Sequence, residues 1–96
     1  MKRVLVECRD LFFRGKLQAI LTASGAAAVR EEPYEVAVIE LGGADAPQRI
    51  ADLVTLGVPV LAFGSHVDAA ALRAARDLGA RAVPNSELET ALRALV

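Results

Sequence analysis

Residues 35–41 read EVAVIEL and residues 58–63 read VPVLAF, and these two apolar runs decide the fold. Neither run alternates between apolar and polar residues, which indicates strands that are covered on both faces of a sheet. The segment after the first run carries Ile50, Leu53 and Val54 at helical spacing. Strand and helix therefore alternate, and this alternation predicts parallel strands that are joined by crossover helices.

The same pattern extends outward to both ends of the chain. We predict further strands at residues 3–7, 26–30 and 81–83, the second of them weak, and helices over residues 11–24, 45–57, 65–78 and 86–95. Asp10 is expected to cap the first helix, and capping boxes are expected to start the others, pairing Asp45 with Gln48, Ser65 with Asp68, and Ser86 with Glu89. The economical architecture is an α/β, three-layer, flavodoxin-like open sheet of four or five parallel strands in the order 2-1-3-4-5.

Composition indicates one domain, residues 1–96, with 54% hydrophobic residues. A net charge of −1 offers no field that would attract nucleic acid or an anionic membrane. The single cysteine, Cys8, excludes an internal disulfide, and we expect neither a signal peptide nor a membrane span, hence a cytoplasmic protein. Nine arginines against two lysines favour a bacterial source and are compatible with a thermophilic one.

Polar residues follow each predicted strand, and in an open parallel sheet ligands bind at the carboxyl ends of the strands. This rule places residues 7–10, 40–43, 64–66 and 84–86 along one edge. No glycine-rich nucleotide loop is present, and the lone histidine, His66, has no partners for a metal site. We therefore expect any site to come from this edge, without a metal or cofactor.

Four segments in this order resemble a bacterial response-regulator receiver domain of the CheY type. They are VLVEC (4–8), YEVAVIEL (34–41), PVLAFGSH (59–66) and GARAVPNSELETAL (79–92). The likeness covers most of the chain except residues 26–35, and it lies in topology and apolar pattern. DLFFRGK (10–16) and FGSHVD (63–68) also resemble segments of small receiver-like bacterial proteins.

The resemblance implies a phosphoacceptor site, and the chain departs from it. Glu40 stands where a receiver carries the aspartate that is phosphorylated, and a glutamate there can imitate the charge of the phosphorylated state. Gly64 stands at the switch hydroxyl, and Pro84 or Asn85 at the lysine of the last strand. The resemblance therefore implies a pseudo-receiver, a non-catalytic signalling or adaptor module that contacts a partner protein, with its site at Glu40, Glu7, Asp10, Gly64, Ser65 and Asn85.

Receivers also have a helix between their second and third strands, and here only residues 31–34 are available. We expect either a vestigial edge strand or a tight extended crossover, because a parallel crossover usually needs about ten residues or more. Both arrangements would leave one face of the sheet under-covered. Exposed apolar surface of this kind predicts a homodimer.

Two other functions stay open. Ser65, His66, Asn85 and Ser86 are candidates to bind a small anionic ligand or nucleotide, because the predicted helix N-termini there favour anions. Alternatively, Cys8 and Arg14 show the C-x₅-R spacing of low-molecular-weight tyrosine phosphatases, which implies a thiolate nucleophile.

The phosphatase alternative meets an obstacle in the intervening residues, since two phenylalanines and Asp10 would block a phosphate loop. We therefore expect a semi-buried Cys8 and a surface Arg14. The plain interpretation of Glu40 is a solvated strand end that pairs with Arg9 or Arg14, and that of His66 is a surface residue.

Overall fold

The computed structural model describes residues 1–96 as an alternation of strands and helices. The elements are β1 (Arg3–Glu7), α1 (Leu11–Ala23), β2 (Ala27–Val29), β3 (Val36–Glu40), α2 (Ala46–Thr55), β4 (Val60–Gly64), α3 (Ala69–Asp77), β5 (Arg81–Pro84), a 3₁₀ turn (Asn85–Glu87) and α4 (Leu88–Leu95). None of the helices combines the length and the apolar character that a membrane span requires.

The five strands form one parallel sheet in the order β2-β1-β3-β4-β5, which confirms the predicted fold. Neighbouring strands end at nearly the same level. Glu7 of β1 pairs with Ile39, Glu40 of β3 pairs with Phe63, and Gly64 of β4 pairs with Pro84. The carboxyl ends of β1, β3, β4 and β5 therefore share one edge, as the sequence predicts.

Alternate strand residues enter two separate cores. Val38 and Phe63 face α1 and α4, whereas Ile39 and Ala62 face α2 and α3. Phe63 is fully buried, and its ring centroid lies 5.6 Å from that of Phe13. Burying one such side chain stabilises the fold by about 2–3 kcal/mol, so β4 is a central support of the domain.

The helix ends confirm some predicted caps. Asp10 caps α1, because its Oδ1 accepts a hydrogen bond from the backbone N–H of Phe13 at 3.2 Å. Gly79 follows α3 with a φ of +103°, and a Cβ there would lie 3.0 Å from Cγ1 of Val54. Both the backbone conformation and the close approach of α2 therefore require glycine at this turn.

The first predicted capping box, Asp45 with Gln48, is wrong. Asp45 precedes α2 with helical dihedral angles, and its side chain makes no capping bond. The Gln48 amide donates instead to Asp52 along the helix, at 2.8 Å. The four-residue spacing between Gln48 and Asp52 offers the amide a partner on the helix surface, and this pairing replaces the one to the backbone.

The other two predicted capping boxes are also wrong. Ser65 lies in a turn where its Oγ accepts a hydrogen bond from the N–H of Val67, and Asp68 is the residue that caps α3. Ser86 lies in the 3₁₀ turn, and Glu89 pairs with Arg93 one helical turn away. In both cases an extra turn of chain separates the serine from the helix that it was predicted to cap.

The crossover from β2 to β3 takes six residues, 30–35, and contains no helix. The Arg3 guanidinium holds it by donating to the carbonyl oxygens of Glu31 and Pro33, at 2.9 and 2.8 Å. The two predicted alternatives thus occur together, as a three-residue edge strand and a tight loop. The sheet face beside this loop is covered, however, because Leu5 is only 5% exposed and Tyr34 packs against the hydrophobic core that contains Leu5. The expectation of an under-covered face is therefore wrong at this position.

Candidate functional site

Glu40 ends β3 at the middle of the shared edge, half-buried. Its Oε1 accepts a hydrogen bond from the backbone N–H of Arg9 at 2.8 Å. The bond joins β3 to the loop that follows β1, since β1 is its direct neighbour in the sheet. Of the two predicted partners, Arg9 and Arg14, the structure selects Arg9, and the contact is made by its backbone rather than its guanidinium.

Glu7 ends β1 and forms an ion pair with Arg49 of α2. The Nε of Arg49 donates to both carboxylate oxygens, at 3.2 and 3.0 Å, and Nη2 donates to Oε2. The hydrogen bonds to Glu7 raise the pKa of Arg49. The carboxylate is therefore occupied by a bidentate guanidinium, which is the most directional partner a carboxylate has.

A second pair at this edge is looser. Arg9 Nη2 lies 3.9 Å from Oδ1 of Asp45, and both side chains are more than three-quarters exposed. Such a pair contributes little stability, because water screens it and two long side chains must be ordered. The Arg9 side chain also passes close to Gly43, where a Cβ would lie 3.7 Å from its Nη2.

Cys8 follows β1, half-buried, and its Sγ donates to the carbonyl oxygen of Asp10 at 3.5 Å. Burial raises the pKa of the Cys8 thiol, and the nearby charge of Glu40 raises it further. A phosphatase nucleophile needs the opposite shift, toward the thiolate. Arg14 is exposed, so both residues have the surroundings expected of a semi-buried cysteine and a surface arginine.

Gly64 ends β4, at the position that the resemblance would match to a receiver's switch hydroxyl. A Cβ built on it would lie 3.2 Å from the Cβ of Leu41, closer than most Cβ contacts in proteins. A serine or threonine at this position would therefore press against the residue that follows Glu40. The contact gives a packing reason for the glycine.

The remaining predicted ligand residues lie farther along the edge. Ser65, His66 and Ser86 are exposed, and Asn85 is half-buried in the 3₁₀ turn. Apart from the bond of Ser65 to Val67, their side chains make no hydrogen bond. The structure places these four residues after β4 and β5, whereas Glu7 and Glu40 end β1 and β3 and Cys8 directly follows β1.

A cleft of about 530 Å³ opens beside Glu40 and runs away from β4, toward the crossover segment 30–35. It contains none of Ser65, His66, Asn85 or Ser86. Its charged lining comprises Glu7, Glu40 and Asp45 with Arg9, Arg14, Arg30 and Arg49, and Tyr34 contributes its ring.

Four of these lining residues were not predicted as site residues from the sequence, namely Arg30, Tyr34, Asp45 and Arg49. Arg49 lies on α2, 42 residues from its partner Glu7 in sequence, with its side chain half-buried. Arg30 and Tyr34 flank a crossover whose path the sequence left undecided. No three His, Cys, Asp or Glu side chains come close enough together to hold a metal ion.

Comparisons with known proteins agree with this geometry at the level of the fold. The structure is similar to a CheY-like protein (tadZ) from Pseudomonas aeruginosa PAO1, with a TM-score of 0.76, 20% identity and full coverage of both chains. It is similar to a response regulator receiver protein from Pseudoalteromonas atlantica, with a TM-score of 0.75, 16% identity, and 99% and 93% of the two chains covered.

A response regulator in red light signalling of R. palustris gives a TM-score of 0.67 at 15% identity, over 99% of this chain and 91% of that one. No family model matches the sequence. No curated protein matches it significantly either. The chain therefore has the receiver fold, with a sequence that diverges widely from these structural neighbours.

Proposed function

We propose that this protein is a pseudo-receiver, a signalling or adaptor module that contacts a partner protein and takes up no phosphoryl group. The observation that carries the proposal is the hydrogen bond from the Arg9 N–H to Oε1 of Glu40. A carboxylate at the end of the central strand, bonded to the neighbouring loop, supplies a permanent negative charge where a receiver acquires one by phosphorylation.

The surroundings of Glu40 also oppose phosphoryl transfer. A receiver binds Mg²⁺ through acids that follow its first strand, and here Glu7 is occupied by Arg49. Mg²⁺ prefers oxygen ligands, and the residue after Glu7 is Cys8, a poor ligand for this ion. The side chain of Asn85 is uncharged, so it supplies no positive charge that would stabilise a phosphorylated state. Glu40 therefore lacks the electrostatic partners that the reaction requires.

We also propose where the protein is located, what its oligomeric state is and which partners it does not bind. We propose a cytoplasmic, non-enzymatic protein that forms a homodimer and binds neither nucleic acid nor membranes. The even balance of 11 basic and 12 acidic residues supports the last point. Leu11, Phe12 and Val67 are exposed large apolar residues in the loops and first helical turn after β1 and β4, and this apolar surface, rather than the face beside β2, supports the proposed homodimer.

Acetyl phosphate tests the chemical part of the proposal. Wild-type protein incubated with acetyl phosphate and Mg²⁺ is expected to keep its mass, while an active receiver treated in parallel gains one phosphoryl group. A phosphoryl adduct on Glu40 would contradict the proposal.

Glu40→Gln tests the structural part. The amide oxygen of glutamine is a weaker hydrogen-bond acceptor than the carboxylate, so hydrogen exchange at the Arg9 amide should be faster in this variant. Glu87→Gln, at an exposed position outside the cleft, should leave that exchange unchanged.

A further inference from the structure

We infer that the cleft beside Glu40 and a smaller cleft adjoining it together bind a nucleoside phosphate. The inference is independent of the proposed function, because it rests on Arg14 and Arg30 rather than on the chemistry of Glu40. Both arginines line both clefts, and they are the charged residues that the two clefts share.

The larger cleft holds more unpaired positive than negative charge. Arg49 neutralises Glu7, and Arg9 lies near Asp45, so Glu40 is the remaining acid. Arg14 and Arg30 have no carboxylate within 4.0 Å and donate no side-chain hydrogen bond. Two guanidinium groups without partners beside a cleft favour an anion, and their planar forks match the geometry of phosphate.

The smaller cleft is mainly apolar, unlike the charged larger one. It measures about 200 Å³, and most of its lining is aliphatic, including Val6, Leu17 and Ala28. Whole-ligand pockets usually measure about 300–1,000 Å³, so this space fits one apolar fragment of a ligand rather than a complete one. Because it meets the larger cleft at Arg14 and Arg30, the fragment would be attached to the anionic group bound there.

A nucleoside phosphate combines these two parts in one compact molecule. Its phosphate would accept hydrogen bonds from Arg14 and Arg30 in the larger cleft. Its base would enter the smaller cleft, where the guanidinium planes also offer a stacking surface. Glu40 would repel the phosphate, so Glu40→Gln is expected to tighten binding about threefold by removing one charge.

Titrations followed by ¹H–¹⁵N NMR test this site with three probes. Adenosine monophosphate is expected to bind saturably and shift the amides of residues near Arg14 and Arg30. Adenosine, which lacks the phosphate, and inorganic phosphate, which lacks the base, should each bind at least tenfold more weakly. If either probe matched adenosine monophosphate, or if none saturated at millimolar concentration, the inference would be overturned.

Variants assign the two parts of the ligand to the two clefts. Arg14→Gln and Arg30→Gln should each weaken adenosine monophosphate binding about tenfold, whereas Arg73→Gln, exposed and lining neither cleft, should leave it unchanged. Ala28→Leu fills the smaller cleft from an exposed position, so it should weaken the nucleotide and spare inorganic phosphate. Equal effects of Arg30→Gln and Arg73→Gln would overturn the inference.

Discussion

The sheet is built differently on the two sides of β3. On one side, which we call the helical flank, β4 and β5 are covered by α3 and α4, and Leu61, Ala62 and Phe63 are fully buried. On the other side, the edge flank of β1, β2 and the crossover segment 30–35, the last strand has three residues and a loop replaces a helix. The charged contacts of the candidate site lie on this second side.

The difference between the two flanks shows which contacts are made where the helix between β2 and β3 is missing. In the edge flank, arginine side chains make several of the tertiary contacts, since Arg3 holds the crossover by hydrogen bonds and Arg49 forms an ion pair with Glu7. A cleft with a polar lining results, and the helical flank has no equivalent. We therefore expect stability to depend mainly on the helical flank and ligand recognition on the edge flank.

The largest expected effect concerns stability. Phe63→Ala removes a fully buried ring and should cost about 3–5 kcal/mol, a large part of the roughly 5–14 kcal/mol expected for a domain of this size. Val29→Ala in the half-exposed edge strand should cost about 0.5 kcal/mol. Urea unfolding of both variants measures the contrast, and similar losses would remove the distinction between the two flanks.

Arg3→Ala tests how the crossover is held. The variant loses the hydrogen bonds to Glu31 and Pro33, and we expect a cost of about 1 kcal/mol because the bonds are exposed to water. Hydrogen exchange should accelerate in β2 and leave β4 unchanged. Arg81→Ala, at an exposed position on β5, is the matched control. Acceleration throughout the sheet would show instead that the edge flank does not open separately.

The ion pair of Glu7 and Arg49 should contribute less to the free energy of unfolding. About a third of each side chain is exposed, so solvent screening limits the coupling energy to about 0.5–1 kcal/mol. A double-mutant cycle with Glu7→Gln and Arg49→Gln measures it, and the pair of Arg9 and Asp45 provides a comparison that should give close to zero. A larger coupling for the exposed pair would contradict this ranking.

The smallest expected effect is a change in the reactivity of Cys8. Burial and the charge of Glu40 raise the pKa of its thiol, so less thiolate is present near pH 8 than in a free cysteine. Iodoacetamide should therefore alkylate Cys8 more slowly than it alkylates glutathione. Glu40→Gln should speed the reaction a few-fold by lowering the pKa, and Glu87→Gln should not. An unchanged rate in Glu40→Gln would mean that the two groups do not interact.

The helical flank was the predictable part of the fold. The apolar runs 35–41 and 58–63, with helices predicted between successive strands, permit few arrangements other than a parallel sheet. The helix starts were less predictable. A serine or aspartate three residues before a polar partner marks a cap only if the backbone enters the helix there and the side chain bonds to it. Ser65 and Ser86 lie a turn before their helices, and Asp45 directly precedes α2 but makes no side-chain capping bond.

The candidate site could be predicted only in part. Strand periodicity places Glu40 and Glu7 at a shared edge, because strands of one parallel sheet end together. It cannot show that Arg49 occupies Glu7, since their contact depends on how α2 packs over the sheet. Arg30 and Tyr34 line the cleft through the path of the crossover, which no local pattern encodes.

The most direct test of the central claim is ¹H–¹⁵N NMR of the wild-type protein with beryllofluoride, with and without Mg²⁺. In a phosphorylatable receiver, this phosphoryl mimic binds together with Mg²⁺ and shifts resonances along the strand ends. We predict no Mg²⁺-dependent shift at the amides of Leu41, Gly64 and Asn85, because Glu40 and Glu7 are held by Arg9 and Arg49. Saturable, Mg²⁺-dependent shifts at these three amides would contradict the account.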